Sequence, residues 1–471
     1  MPHDLIVKNG LVVTPQGVLE GGVAVDGEKL TAVGASSSLG TAKREVDVQG
    51  KIIFPGMFNP HTHLGNGDDV SWQGLDDDFA RDTKDFAIGG VTTFATTNVF
   101  SKDPLVQCID RSIKSGTGRS FVDFKITGVV LTPEQITEIP AVARKGCLSF
   151  KFFTGYCGCQ AESLGMPVSG ITPDMFLLAC EELAKVGPPS VALIHAEEPY
   201  VRGILAERMQ RAGKSDLVSW AEHSPAWAES VQVFQYGVIA KDFGVPMYVV
   251  HIANAHTVDF LAYLQREGYP IIGETVVGFL SSSAPEVEAK KLGTHAKIQP
   301  PIKFAADRDR LWRGLREGTI TAVGTDSISY SSKYKDAQGF WETRVGLNMQ
   351  EIDTLPLLFS EGINKGRIDL TTLARVVAEN PARIFGIYPQ KGVIAPGSDA
   401  DLVVIDQNKQ DTLGVHRMRG RADYSNWEGK QVKGMPVMTF LRGTLIAENG
   451  EVVGERPMGR YVAGHPPRGL V

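Results

Sequence analysis

Residues 54–64 read FPGMFNPHTHL, a short apolar run that ends on His61 and His63. In an extended chain residues i and i+2 point to the same face, so both imidazoles can reach one ion. Further along, four more apolar runs stop on or just before a side chain able to hold a metal. LSFKFF carries Lys151, VALIHAEE reaches His195, YVVHIAN reaches His251 and TAVGTDS reaches Asp326. With ten histidines in 471 residues a His-x-His pair alone means little, and its weight comes from the register of all six groups with one architecture. The candidate strands are Met57–His63, Val91–Thr97, Phe121–Thr127, Cys147–Phe153, Val191–His195, Met247–His251, Ile271–Glu274 and Ile320–Asp326, with helical stretches such as Thr172–Val186 and Ala228–Phe243 between them. Eight strands alternating with helices predict an α/β fold, a (β/α)8 TIM-like barrel, whose functional groups gather at the carboxyl ends of the strands.

Outside the barrel the texture changes. The stretches LIVKNG, LVVTPQG and GGVAVDGEKLTAVG near the start alternate apolar and polar residues between Asn-Gly and Asp-Gly pairs, the composition of strands joined by tight hairpins. DADLVVID and VMTFLRGTLIAENGEVVGE repeat that texture near the end. The expected organisation is a small β-sandwich domain built from both termini, residues 1–53 and 390–471, around a catalytic barrel at 54–389. Gly155–Ile171 is longer than a usual βα connection and is expected to fold over the barrel mouth as a loop.

Composition bounds the function classes. The chain is 42% hydrophobic and 22% charged with a formal net charge of −6, and it has no lysine- or arginine-rich block, so nucleic acid and anionic membranes are poor partners. The opening residues MPHDLIVKNG lack the pattern of a secretory signal. Five cysteines suit a reducing cytoplasm better than a disulfide framework. Cys157-Gly-Cys159 is a single pair with no second, and reads as two loop thiols.

Lys151 is the unusual member of the set. A charged ammonium in a buried strand, beside cations, is costly without a partner. Carboxylation by CO2 turns the side chain into an anionic carbamate able to bridge two ions, whereas an unmodified lysine would have to snorkel out at the strand end. Asp326 can bind a metal and carry a proton from an activated water to a leaving nitrogen. Two cations sharing one anion generate hydroxide near neutral pH and polarise a carbonyl, which suits hydrolysis of an unactivated amide. Zinc fits the ligands best, with manganese, iron and nickel as alternatives.

PGMFNPHTHL, SFKFFTGY, IHAE, YVVHIAN, GET, PPIK, LWRGLREGTITAVGTD, KGVIAPGSDADLVVID and NWEGKQVKGMPVMTFLRG occur in this order. Together they resemble the dihydropyrimidinase/hydantoinase family of cyclic amidohydrolases, nearly end to end. The resemblance implies that His61, His63, Lys151 and Asp326 bind one zinc and that Lys151, His195 and His251 bind the other. It also implies that Tyr156 donates to the developing oxyanion, and that the enzyme is a homodimer or homotetramer with a C-terminal oligomerisation tail. The activity implied is opening of the C–N amide bond of a cyclic amide, ureide or imide by a metal-bridging hydroxide. The alternatives are an amidohydrolase for an unusual lactam or cyclic imide, and a non-catalytic scaffold of the same fold. Departures from the family pattern fall at Asn59 (usually Asp), Ser327 (usually His), Gln299 (usually Ser) and Val345 (usually within an Asn-Gly turn). Gly65 disfavours a dihydroorotase and Tyr156 disfavours an allantoinase. Leu64, Trp72, Phe153, Cys157, Leu164 and Met166 suggest an apolar lid, with Leu64, Phe153, Tyr156 and Gln299 as substrate contacts. Those stretches hold no arginine to clamp a carboxylate, so the expected substrate is a neutral ring with an apolar substituent.

Overall fold

The computed structural model describes residues 2–348, 351–454 and 456–465. All eight expected barrel strands form: β6 (Met57–Thr62), β7 (Val91–Thr97), β8 (Asp123–Val129), β9 (Ser149–Phe152), β10 (Val191–Ile194), β11 (Met247–Val249), β12 (Ile271–Val276) and β13 (Ile320–Gly324). They pair in sequence order, every pairing parallel. A parallel bridge between Thr62 and Ser327 and a bond from the Asp326 amide to the His61 carbonyl (3.0 Å) bring the last strand back to the first. Strands β7 to β11 are buried along their whole length. They therefore read as continuous apolar runs rather than as alternating ones, because helices cover the outside of a parallel barrel while side chains fill its inside.

The sheet from the termini holds β1 (His3–Thr14), β2 (Gly17–Asp26), β3 (Lys29–Gly34), β4 (Ala42–Asp47) and β5 (Ile52–Pro55), with β14 (Leu402–Thr412), β15 (Gln431–Leu441), β16 (Thr444–Glu448) and β17 (Glu451–Val452). The two ends of the chain meet where β5 pairs antiparallel with β14. Asn449-Gly450 makes the β16–β17 hairpin with both residues at positive φ, 51° and 87°, as a two-residue turn requires.

Asn9-Gly10 does not make the expected hairpin. Strand β1 runs straight through it, with a break in register between Val7 and Gly10 and Asn9 at φ 60°. This is a bulge, and Gly10 is needed there because a Cβ would lie 2.8 Å from the Lys51 carbonyl. The expected loop at Gly155–Ile171 contains a short helix, Gly158–Ser163. Near the end of the chain, residues 459–464 lie along the barrel: the Phe124 amide donates to the Arg460 carbonyl (3.0 Å) and the Val462 amide to the Phe124 carbonyl (2.8 Å). The last residues of the expected tail, 466–471, fall outside the described residues. No helix among the described residues is long and apolar enough to cross a membrane.

Candidate active site

His61, Lys151, His195, His251 and Asp326 come from β6, β9 and the ends of β10, β11 and β13, and with His63 they meet at the carboxyl end of the barrel. All six are buried. His61, His63 and Asp326 each offer a ligand atom, and the three atoms lie within 4.8 Å of one another. The rings of His61 and His251 are 5.5 Å apart and those of His195 and His251 are 4.5 Å apart. Lys151 Nζ sits 3.3 Å from His61 Nε2.

Three of the imidazoles are held from behind. His61 Nδ1 meets Glu274 Oε1 at 2.9 Å, His63 Nδ1 meets Thr97 Oγ1 at 3.0 Å and His195 Nε2 meets Glu197 Oε2 at 3.3 Å. Such outer partners fix ring orientation and tautomer in metal sites. Glu274, on β12, also accepts from the His251 amide (3.1 Å) and the Tyr248 hydroxyl (2.7 Å), so one carboxylate ties two of the histidines. Glu197 in turn accepts from Arg202 (2.6 Å), Ser224 and Gln299.

Two of the six groups sit on strained backbone, His251 at φ 43° and Asp326 at φ 52°. Such conformations cost about 1–3 kcal/mol and persist where surrounding bonds over-determine them. For Asp326 the restraints lie on both sides. Thr325 Oγ1 donates to Glu351 Oε1 (2.9 Å), and Ser327 Oγ bonds to the same oxygen. Asn59 Nδ2 joins them at 3.1 Å, while its Oδ1 accepts from the His61 amide (3.2 Å). The departures at Asn59 and Ser327 thus converge on one buried carboxylate. A donor at 59 suits that partner, where an aspartate would face a like charge.

Burial pushes the Lys151 amine down to about 8 and the Glu274 carboxyl up to about 8. It also holds His61 and His251 well below the usual histidine value. Burial opposes ionisation of Asp326, yet the imidazoles of His61, His63 and His251 hold its carboxyl well below the usual range.

A cavity of about 210 Å³ opens over these groups. Tyr156, Phe153, Gln299 and Val345 line it. The Tyr156 ring lies 4.9 Å from that of His195, and its hydroxyl makes no hydrogen bond among the described residues. Leu64 does not line the cavity. It is fully buried in the barrel core. Trp72 lies at the start of the helix Trp72–Arg81, away from the cavity. Of the other lid residues Leu164 reaches the cavity, while Met166 belongs to the core.

The cavity is also less apolar than expected, since Arg202, Lys297 and Arg344 line it. These cations come from segments far from the loops that suggested a neutral site, and that distance hid them. Glu274 and Glu197 carried a usable signal, as each is an acidic residue embedded in or next to an apolar strand run.

Residues 279–446 match the amidohydrolase family. The chain is 30% identical over 462 residues to an L-hydantoinase of Paenarthrobacter aurescens, covering 98% of each. The chain belongs to the hydantoinase family of amidohydrolases. A D-hydantoinase of Ralstonia pickettii is 29% identical over 465 residues, covering 98% of each. The solved L-hydantoinase (dihydropyrimidinase) of Arthrobacter aurescens superposes with a TM-score of 0.88 at 29% identity, covering 98% of this chain and 100% of that one. This hydantoinase-family protein is a metal-dependent hydrolase of cyclic amides, and its family implies a binuclear metal centre.

Proposed function

We propose that the enzyme opens a hydantoin- or dihydropyrimidine-like ring at its amide C–N bond. In this reading His61, His63 and Asp326 hold one zinc-like cation and His195 and His251 hold the other. Lys151, carboxylated on Nζ, is shared between them. The observation that carries the reading is the convergence of six buried groups, with His61, His63 and His195 each pinned by an outer partner on one ring nitrogen while the other nitrogens of His61 and His63 face Asp326 and, for His61, Lys151. The donor set also fits. Imidazole, carboxylate and carbamate suit zinc and its neighbours, and His251 Nδ1 is buried with no hydrogen-bond partner, an atom that a cation would satisfy. A low value for the Lys151 amine leaves a neutral fraction able to take up CO2.

When bound, such cations activate a water and polarise the ring carbonyl. Asp326 accepts the proton the water gives up and returns it to the leaving ring nitrogen. Tyr156 donates its hydroxyl hydrogen bond to the carbonyl oxygen as that atom gains charge. Gln299 and Phe153 contact the ring and its substituent.

A homodimer or homotetramer is part of the reading, supported by the family resemblance and by an uncovered apolar face. Trp227, Val231, Phe234 and Val238 on the helix Ala226–Asp242 are each at least 44% exposed, an arrangement that suits burial against a second copy. Five unpaired thiols agree with a cytoplasmic location. The deciding experiment combines metal analysis with a ring-opening assay on hydantoins, dihydropyrimidines and cyclic imides. Two equivalents of metal with chelator-sensitive ring opening are expected. A fully metallated protein that opens none of these rings would overturn the reading.

A further inference from the structure

Besides Lys151, three cationic side chains among the described residues line the cavity, and two of them are committed. Arg202 pairs with Glu197 at 2.6 Å. Lys297 donates to the carbonyls of Phe340 (2.6 Å), Trp341 (2.9 Å) and Thr343 (2.8 Å). Arg344 differs. Its one side-chain hydrogen bond runs from Nη1 to the Tyr334 hydroxyl at 3.4 Å, and no carboxylate is in ion-pair contact with it among the described residues. Glu342, the nearby acid on the same segment, is exposed at the rim and is in ion-pair contact with no side chain among the described residues. The guanidinium is half-buried, and its remaining donors are open to an incoming anion that could bind them in two-point contact.

The backbone that carries Arg344 is pegged in place. The fully buried Lys335 ammonium donates to the carbonyls of Arg344 (3.0 Å), Gly346 (3.0 Å) and Lys297 (3.2 Å). The Gly346 amide returns a bond to the Lys297 carbonyl at 3.0 Å. Two buried lysines therefore hold the segment 340–346 over the site, and Arg344 projects from it into the cavity that contains Asp326 and Tyr156. Such pre-organisation serves recognition, because little ordering remains to be done when the ligand arrives. The planar fork of arginine matches a carboxylate in two-point contact.

We propose that Arg344 reads a carboxylate on the exocyclic substituent of the substrate, so that the preferred substrates are acid-bearing cyclic amides rather than neutral aryl or alkyl ones. The proposal rests on the ring-opening reading above and specifies its substrate class. Trp220 and Trp341, whose rings are 5.5 Å apart, also line the cavity and can flank the arm that bears the acid.

The test takes the metal-loaded enzyme and three hydantoins substituted at C5 with carboxymethyl, carboxyethyl or 4-carboxyphenyl, each beside its own carboxamide. The best carboxylate is expected to exceed its carboxamide in kcat/KM by roughly 10- to 100-fold, the range of a charge-assisted hydrogen-bonded pair. Arg344→Gln should collapse that ratio to about 1, and Arg344→Lys should keep part of it, since a point charge replaces the fork. A wild-type ratio near 1 for all three pairs would overturn the proposal without any variant. So would an Arg344→Gln ratio equal to that of the wild type. In both cases ring opening is observed and the broader reading stands. If none of the six compounds is opened the proposal fails, and the broader reading fails with it only if unsubstituted hydantoin, dihydropyrimidines and cyclic imides are left unopened as well.

Discussion

Replacing Glu274 by glutamine should act in opposite directions with and without metal. Burial raises this carboxyl from the ordinary 4.5 to about 8 in the folded chain. A folded-state value above the unfolded one means that the folded chain favours the protonated acid. The stability this contributes is whole below pH 4.5 and is lost as pH rises to about 8. Glutamine copies the neutral acid in shape and does not titrate. The metal-free wild type should therefore lose ground to Glu274→Gln at about 1.4 kcal/mol per pH unit, or about 3 kcal/mol between pH 5.5 and pH 8. Chemical denaturation of chelator-stripped protein at those two pH values measures it. With metal present the carboxylate is the useful form, since it accepts from His61 Nδ1 at 2.9 Å and from the His251 amide at 3.1 Å. Loss of an outer-sphere carboxylate of this kind weakens metal binding by roughly 10- to 100-fold, readable by competition with a chelator. A pH-independent stability difference, or a variant that binds metal as tightly as the wild type, would refute the role given to Glu274.

Lys151→Ala should purify with most of its metal missing, and short carboxylic acids should restore part of the metal and activity by standing in for the carbamate; full occupancy in the variant would remove Lys151 from the centre. Asp326→Asn should keep much of the metal while kcat falls by roughly 10²–10⁴, and a near-normal kcat would show that another group moves the proton. Tyr156→Phe should lower kcat by roughly 10²–10³ with a smaller change in KM, as steady-state kinetics on the best ring substrate will show. Asn59→Asp places a second carboxylate beside Glu351, where Asn59 now donates at 3.1 Å. For charges about 4 Å apart at an effective dielectric of about 20 such repulsion costs about 4 kcal/mol, and the urea midpoint of the variant should fall below that of the wild type; an unchanged midpoint would show that Asn59 is not matched to Glu351.

The eight barrel strands and the six candidate ligands were legible because each signal is local. A buried strand of a parallel barrel must be apolar along its whole length, so a lysine inside LSFKFF or a histidine ending YVVHIAN stands out against its own neighbours. The hairpin at Asn449-Gly450 was legible for the same reason, since the turn's positive φ values are a property of those two residues. Asn9-Gly10 has the same composition and a different outcome. The difference is the neighbouring chain: the Lys51 carbonyl and the Val48 side chain stand where a Cβ at position 10 would fall, so the pair sits in a bulge within β1 that only glycine fits.

The chain's own order of residues determined the architecture, the kind of chemistry and the groups able to hold cations. Only the tertiary structure decided what stands behind and above them. Glu274 reaches His61 across 213 positions, Asn59 reaches Glu351 across 292, and Lys335 holds the Arg344 carbonyl that no strand pattern points to. Leu64 turned away from the cavity while Arg344 turned into it. The physical reason is the reach of each constraint. Hydrophobic periodicity acts between neighbours a few residues apart, whereas the pairing of a buried charge depends on whichever distant segments the closed barrel brings to the same place.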